Sequence, residues 1–178
     1  MLTRLIIAGA LFLFACSSGS EAPRDDPSTT YSSNGVAFEY PSSWVSEGSS
    51  KPEGAAWTWW FGPVQGWGYV QVIAYEAGME PTAEQMRQFA EAFFRFVRND
   101  AAGDEPKGGI IETTVAGSDA LEASFVRSEG PGGKPAELRA LVFAHGSTAY
   151  GLHCFYSSED ADVIAGCERV ISSFTFDE

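Results

Sequence analysis

The alternation of apolar and polar residues divides the chain into strand-like segments separated by turns. Gly35 to Pro41 alternates and stops at proline, as an opening strand would. Six further segments are rich in β-branched and aromatic residues and are bounded by Gly, Ser, Asp or Pro. They cover residues 56–62, 68–75, 110–116, 121–128, 138–145 and 148–156.

Two other segments have the three- and four-residue spacing of amphipathic helices. Thr82 opens the first, and Gln85 completes a Thr-x-x-Gln capping box. Its apolar stripe consists of Met86, Phe89, Ala90, Phe93, Phe96 and Val97. Ser157 or Ser158 is expected to cap the second, whose stripe consists of Val163, Ile164, Cys167, Val170, Ile171 and Phe174. Strands in a run between two such helices predict an α+β fold, with a mostly antiparallel sheet of about seven strands flanked by both helices.

The first 15 residues have the pattern of a bacterial export signal. Arg4 supplies a short positive segment, and residues 5–14 form an apolar run too short to cross a bilayer as a helix. Leu13-Phe14-Ala15-Cys16 resembles the lipobox of bacterial lipoproteins, although Phe14 departs from the small or β-branched residue usual there. We therefore predict a signal peptide over residues 1–15 and a lipid on Cys16. The alternatives are an ordinary cleaved signal and an uncleaved membrane helix.

Residues 16–33 are predicted to be the lipidated cysteine and a disordered tether, because they contain almost nothing to bury. Sixteen residues of flexible coil would reach about 20 to 24 Å. Residues 34–178 suit one compact domain.

Charge narrows the choice of partners. The chain has 24 acidic and 11 basic residues and a net charge of -13, and loss of Arg4 with the signal would make it -14. Nucleic acid is excluded as a partner because its recognition depends on clustered Lys and Arg. The acids are scattered and form no calcium-loop motif, so they are expected to solvate the surface.

The cysteines provide a second prediction. If Cys16 carries lipid, Cys154 and Cys167 remain, the first in a strand-like run and the second in a helical pattern. A bridge would join the last helix to the last strand and stabilise the fold by about 3 kcal/mol. The alternatives are two buried thiols or part of a metal site, but no CxxC occurs and His153 lies on the opposite strand face from Cys154. We predict a disulfide and no metal.

Catalytic motifs are missing from the sequence. It contains no Gly-x-Ser-x-Gly elbow, HExxH helix, Walker loop or Gly-x-Gly-x-x-Gly turn. His145 and His153 lie in adjacent predicted strands and could face each other across a hairpin. A pair of acids acting on glycosides stays open, because its members come from distant segments. We expect no enzymatic activity and no cofactor.

Clustered tryptophans give the best indication of a ligand. Strand alternation places Trp57 and Trp59 on one face of a strand and Trp60 on the other, with Trp67 close behind. All four either fill the core beneath the helices, or Trp60 or Trp67 lines an exposed groove for an apolar or carbohydrate ligand.

Two short motifs resemble the PsbP-like fold, which is shared by photosystem extrinsic subunits, a Ran-binding nuclear import factor and many bacterial lipoproteins. Residues 38–44, Phe-Glu-Tyr-Pro-Ser-Ser-Trp, resemble its opening strand and Tyr-Pro-x-x-Trp turn, and residues 167–174 resemble its closing helix with a final Ser-Phe pair. The LpqN-type exported lipoproteins have cysteines in similar places. The resemblance covers residues 34–176 and implies a PsbP-like domain that acts by binding in the cell envelope.

The sequence therefore predicts a membrane-anchored lipoprotein that serves as a non-catalytic binding or accessory module in cell-envelope assembly or maintenance. Its expected partners are the bilayer, through acylated Cys16, and an envelope protein or an apolar or glycan ligand. It is expected on the extracytoplasmic side of a membrane, and Ser17 favours the outer membrane where the host has one. The alternatives are a periplasmic carrier of an apolar or carbohydrate ligand and an undetected hydrolase.

Overall fold

The structure is a computed structural model that describes residues 26–48, 51–65, 67–100, 107–127 and 133–177. The predicted signal peptide and Cys16 lie outside these residues. Within them the chain forms β1 (Ser28–Ser33), β2 (Val36–Pro41), β3 (Trp44–Gly48), β4 (Trp57–Pro63), β5 (Tyr69–Glu76), α1 (Ala83–Asp100), β6 (Ile111–Val115), β7 (Ser118–Arg127), β8 (Ala136–His145), β9 (Thr148–Ser157), α2 (Ala161–Ser173) and β10 (Thr175–Phe176).

Seven strands form one antiparallel sheet in the order β3-β4-β5-β9-β8-β7-β6. A smaller sheet has the order β1-β2-β10. The two sheets and two helices confirm the predicted α+β architecture. Neighbouring strands in the sheet are consecutive in the chain except at one place: α1 separates β5 from β6, and β5 pairs instead with β9, the central strand of the sheet.

The N-terminal boundary differs from the prediction. Ser28–Ser33 was expected in the disordered tether, but it forms β1 and pairs along its whole length with β2. Tyr31 stacks on Phe38 at 4.9 Å between ring centroids. Backbone pairing and the aromatic contacts of Tyr31 hold a strand whose other side chains are serine and threonine, so its sequence has no apolar alternation to reveal it.

The small sheet and α2 cover one face of the large sheet, and we call it the closed face. Its core is aromatic and includes Phe38, Phe61 and Phe143, all at most 1 % exposed. Cys154 of β9 and Cys167 of α2 form a disulfide across this interface, with their Cα atoms 6.1 Å apart. This is the pairing expected from the sequence, and it ties the last helix to a central strand.

An ionic cluster also links elements on the closed face. Arg139 of β8 donates two hydrogen bonds, of 2.8 and 3.0 Å, to Glu122 of β7, and a third of 2.5 Å to Glu168 of α2. Burial alone would lower the pKa of Arg139, but the hydrogen bonds to Glu122 and the charges of both glutamates outweigh it and raise the pKa above its ordinary value. The guanidinium therefore stays charged and joins two strands to a helix.

Helix α1 packs on the opposite face, which we call the open face, where its main contacts are with β7, β8 and β9. The predicted capping box is confirmed, because the Thr82 N–H donates to Gln85 Oε1 at 2.8 Å and the Gln85 N–H donates to Thr82 Oγ1 at 3.3 Å. Phe93 presses against Gly151 of β9, where a Cβ atom would lie 2.3 Å from the ring. Glycine at this position is what lets the helix approach the sheet so closely.

Helix α2 begins differently from the prediction. Its N-cap is Asp160, whose side chain accepts a hydrogen bond from the Val163 N–H at 3.2 Å, instead of Ser157 or Ser158. Ser157 belongs to the end of β9 and accepts from the Glu159 N–H. Because Ser157 is the last residue of β9, it cannot cap the helix, and Asp160 is the N-cap instead. None of the helices in the described part of the chain is long and apolar enough to cross a membrane.

Candidate binding surface

The open face is only partly covered, because α1 lies over β7, β8 and β9 and leaves side chains of β3, β4 and β5 in contact with solvent. Four half-buried rings gather there, and we call them the aromatic surface: Trp60, Trp67, Tyr69 and Phe155. Ring centroids lie 4.1 Å apart for Trp60 and Tyr69, 5.7 Å for Tyr69 and Phe155, and 5.4 Å for Trp67 and Phe155. The four rings form one continuous cluster across three strands and a loop.

Two glycines shape this cluster. A Cβ atom on Gly62 would lie 2.9 Å from the carbonyl oxygen of Gly68, so a side chain there would push the end of β4 away from the start of β5. Gly68 has φ +127°, and its Cβ would lie 2.9 Å from Val163 of α2. The β4–β5 loop can therefore fold back and place Trp67 on Phe155 only because both positions lack a side chain.

The four tryptophans predicted as a candidate ligand surface do not all lie on the same face of the sheet. Trp57 and Trp59 point to the closed face, where their ring centroids lie 6.3 Å from Tyr150 and 5.9 Å from Tyr31 respectively. Trp60 lies on the open face, which confirms the predicted alternation. Trp57 and Trp59 are half-buried and pack against the closed-face core, so only Trp60 and Trp67 of the four tryptophans lie on the aromatic surface.

Polar side chains lie beneath the rings. Strand register places Trp60 opposite Gln71, and Gln71 opposite His153. The Gln71 amide donates to Thr58 Oγ1 at 3.0 Å, and both residues are buried. Trp60 Nε1 and His153 Nδ1 are buried without a hydrogen-bond partner among the described residues. The polar atoms beneath the aromatic surface therefore keep hydrogen-bonding capacity that the described residues do not use.

Burial sets the charge of this layer. His153 is 2 % exposed. The centroid of its ring lies 5.5 Å from that of Tyr69 and 6.0 Å from that of Phe93. Desolvation lowers the pKa of His153 from its ordinary 6.5 to about 3. The imidazole is therefore neutral at physiological pH, and the layer presents hydrogen-bonding groups without charge.

The two histidines do not meet. His145 pairs with Thr148 at the β8–β9 turn and stacks on Phe176 of the small sheet at 4.0 Å, whereas His153 pairs with Ala140. They lie on opposite faces of the sheet, so the structure does not form the histidine pair considered from the sequence. No group of three or more His, Cys, Asp or Glu in the described ranges is arranged to hold a metal ion.

A second concave region lies between the start of α1 and strands β6 to β8, and we call it the far groove. It has a volume of about 500 Å³. Met86, Leu121 and Val142 contribute apolar lining, while Arg87 and Asp119 are exposed beside them. Sequence reasoning missed this groove because its lining comes from elements far apart in the chain.

Comparisons with known proteins establish the fold. No protein-family model matches the chain, and no curated protein matches it by sequence. Cyanobacterial PsbP (CyanoP) of Synechocystis sp. PCC 6803 superposes with a TM-score of 0.60 at 17 % identity, covering 90 % of this chain and 97 % of that one. LpqN of Mycobacterium tuberculosis, which is involved in cell envelope biogenesis, gives 0.54 at 12 % identity, covering 88 % and 89 %.

A crystal structure from Bacteroides thetaiotaomicron VPI-5482 is also similar, with a TM-score of 0.54 at 14 % identity over 81 % of this chain. The match covers 46 % of that protein, so this chain spans about half its length. Together these similarities confirm that the chain has a PsbP-like fold, as its opening and closing motifs predict.

Proposed function

We propose that this protein is an exported, lipid-anchored binding module of the bacterial cell envelope that acts without catalysis. The sequence supports the anchor through its signal-like start and the lipobox-like Leu13-Phe14-Ala15-Cys16. The fold it shares with LpqN, a protein of cell envelope biogenesis, supports the location. The observation that carries the binding role is the aromatic surface, which lies half-exposed over buried polar atoms.

The chemistry of this surface suits an uncharged or apolar ligand. Trp60 and Trp67 provide large ring areas that can be buried at low entropic cost, and tryptophan is enriched among the residues that dominate binding energy. Neutral His153 and the N–H of Trp60 lie buried beneath the rings, so they add no charge to the surface that a ligand would meet. We therefore propose that the module binds an envelope protein through an apolar patch, or a glycan or lipid component of the envelope.

The anchor is tested at Cys16. Wild-type protein should carry a diacylglyceryl group on Cys16 as its new N-terminal residue, and Cys16→Ala should accumulate as an unlipidated precursor. Mass spectrometry of the N-terminus measures both. Cleavage at another position that leaves a free Cys16 in the wild type would contradict the proposal.

The binding role is tested with Trp60→Ala and Trp67→Ala in the full chain. Each should weaken capture of an envelope component from native membranes by more than about 1 kcal/mol, the scale at which hot spots are counted. Phe96→Ala is the matched control, because Phe96 is 42 % exposed on α1 and lies outside the aromatic surface.

Circular dichroism must show that all three variants fold. Equal capture by the wild type and both tryptophan variants would remove the aromatic surface from the proposal. If an acidic residue or a histidine instead proved necessary for turnover of a glycan, lipid or peptide, the hydrolase alternative would replace it.

The far groove favours a second candidate function, that of a carrier for a small apolar ligand. Its volume of about 500 Å³ lies within the range of small-molecule sites. Leu121→Trp should fill the groove and abolish binding of an apolar fluorescent dye, whereas Trp60→Ala should leave dye binding in the groove unchanged. Dye binding that responds only to Trp60→Ala would exclude the carrier role.

A further inference from the structure

The described chain begins at one end of the large sheet and is fixed there. Asp26 and Pro27 line a cavity of about 340 Å³ together with Trp44 of β3. The Ser43 hydroxyl donates to the Asp26 carboxylate, and Arg169 of α2 donates to the Asp26 carbonyl oxygen at 2.7 Å. These contacts set the position from which the preceding residues lead to Cys16.

Exposed apolar side chains lie at this same end. Trp44 pairs with Pro63, the last residue of β4, so the β4–β5 loop starts about 5 Å from Trp44. Val64 follows Pro63 and is 69 % exposed, and Val45 beside Trp44 is 45 % exposed. We call Val45, Val64 and Trp67 the near-end cluster.

The opposite end of the sheet offers a matched reference. β5 runs eight residues from Tyr69, just after the β4–β5 loop, to Glu76. At about 3.3 Å per residue it separates the two ends by about 25 Å. Met79 follows β5 and is 69 % exposed, the same fraction as Val64. The far groove, lined in part by Glu80, lies at Met79's end of the sheet.

We infer that the near-end cluster lies in the headgroup region of the bilayer that holds Cys16, with Met79 and the far groove turned away from it. Cys16 stands ten positions before Asp26, so even fully extended chain separates the two by no more than about 35 Å. Tryptophan is enriched at membrane–water interfaces because its ring is apolar and its N–H is polar. The inference rests on the proposed lipid anchor.

Charge selects the kind of lipid surface. Without Arg4 of the signal peptide the lipidated chain would carry 10 basic and 24 acidic residues, a net charge of -14, so an anionic bilayer would repel it, whereas a zwitterionic one would not. Where the described chain begins, the Asp26 carboxylate accepts a hydrogen bond from the Ser43 hydroxyl, and Arg169 donates to the Asp26 carbonyl oxygen. The occupant that fits the near-end cluster is therefore a zwitterionic phospholipid surface, held close by the anchor and contacted through apolar side chains.

The test uses the full acylated protein in phosphatidylcholine vesicles. Val64→Cys and Met79→Cys are each labelled with the polarity-sensitive dye NBD, because the other cysteines are occupied by lipid and by the disulfide. Emission from position 64 should gain intensity and shift to the blue on reconstitution, and bromine-containing lipids should quench it. Emission from position 79 should stay that of dye in water.

Wild type and Trp67→Phe provide an independent arm that needs no label. Quenching of tryptophan emission by brominated lipid should fall when Trp67 is replaced, since Trp67 belongs to the near-end cluster and Trp44, at the same end, is only 7 % exposed. If the protein floats with the vesicles but both labels stay in water, or position 79 alone is quenched, the orientation is overturned and the anchor stands. Protein that does not float refutes the anchor, and the inference with it.

Discussion

The two faces of the seven-stranded sheet differ in how completely they are covered. The closed face is buried under a second sheet and α2, and it holds the disulfide and the Arg139 cluster. On the open face, α1 packs on β7 to β9, while Val45 and the aromatic surface keep contact with solvent. Both faces bury a hydrophobic core, but the disulfide and the ionic cluster lie on the closed face, and the exposed aromatic rings lie on the open face beside the core that α1 covers.

Neighbouring residues of one strand show this division most directly. Trp59 and Trp60 are adjacent in β4, yet Trp59 packs with Tyr31 in the closed-face core and Trp60 joins Tyr69 on the open face. Successive side chains of a strand point to opposite faces, so one position decides between a structural and a binding role. Substitutions on the closed face should therefore change stability, and substitutions in the aromatic surface should change binding.

The largest expected effect comes from the closed-face core. Phe38→Ala should lower the free energy of unfolding by about 3 to 5 kcal/mol, because Phe38 is 1 % exposed and its loss leaves a cavity among stacked rings. Phe96→Ala on the open face should cost less than about 0.5 kcal/mol, since Phe96 is 42 % exposed. Urea denaturation measures both. Similar costs for the two phenylalanines would break the comparison between faces.

The disulfide should rank next. It joins residues 13 positions apart, and the chain-entropy model converts a loop of that size to about 3 kcal/mol. Cys154→Ser combined with Cys167→Ser should therefore lower the stability of the oxidised protein by about that amount while leaving binding at the aromatic surface intact. Thiol labelling of denatured, unreduced wild type should find neither cysteine free, and quantitative labelling of both would contradict the prediction.

The Arg139 cluster sharpens the comparison within the closed face. Arg139→Gln should cost about 1.5 to 3 kcal/mol, because it removes charge-assisted hydrogen bonds from Glu122, whose side chain is 11 % exposed. Lys134→Gln is the control: Lys134 pairs with Glu159, both side chains are more than half exposed, and its loss should not be measurable. Equal unfolding midpoints for the two variants would show that the cluster adds nothing.

Periodic features of this fold were readable from sequence. The stripe of α1, its capping box, the alternation of Trp57 through Phe61 and the pairing of Cys154 with Cys167 depend on spacing along one or two elements. Each of these features lies within one element or joins two elements that periodicity already identifies. The PsbP-like motifs then predict how the strands and helices are arranged.

Features created by contacts between distant segments were not readable. β1 is held by pairing with β2 and has no apolar alternation, so the sequence pattern predicts a tether there. The helix α2 cap depends on where β9 ends, which leaves Ser157 in the strand and Asp160 at the cap. The burial of His153 and the far groove depend on how α1 lies across the sheet, which periodicity does not specify.

The open face should also contribute a pH dependence, through His153. Its pKa is about 3 in the folded protein and 6.5 ordinarily, so below pH 6.5 the unfolded chain binds a proton that the folded chain does not. Its contribution to stability is complete above pH 6.5 and is lost as pH falls from 6.5 toward 3. At 1.36 kcal/mol per pH unit, the loss reaches about 2 kcal/mol by pH 5.

His153→Leu removes this titration and should flatten the fall in stability between pH 7 and pH 5 by about that 2 kcal/mol relative to wild type. The acidic residues and His145 are unchanged in both proteins, so their contribution cancels when the pH profiles are compared. Urea denaturation at each pH gives the free energies. Parallel profiles for wild type and His153→Leu would show that the polar layer beneath the aromatic surface is open to protons, and that the open face is less buried there than its geometry indicates.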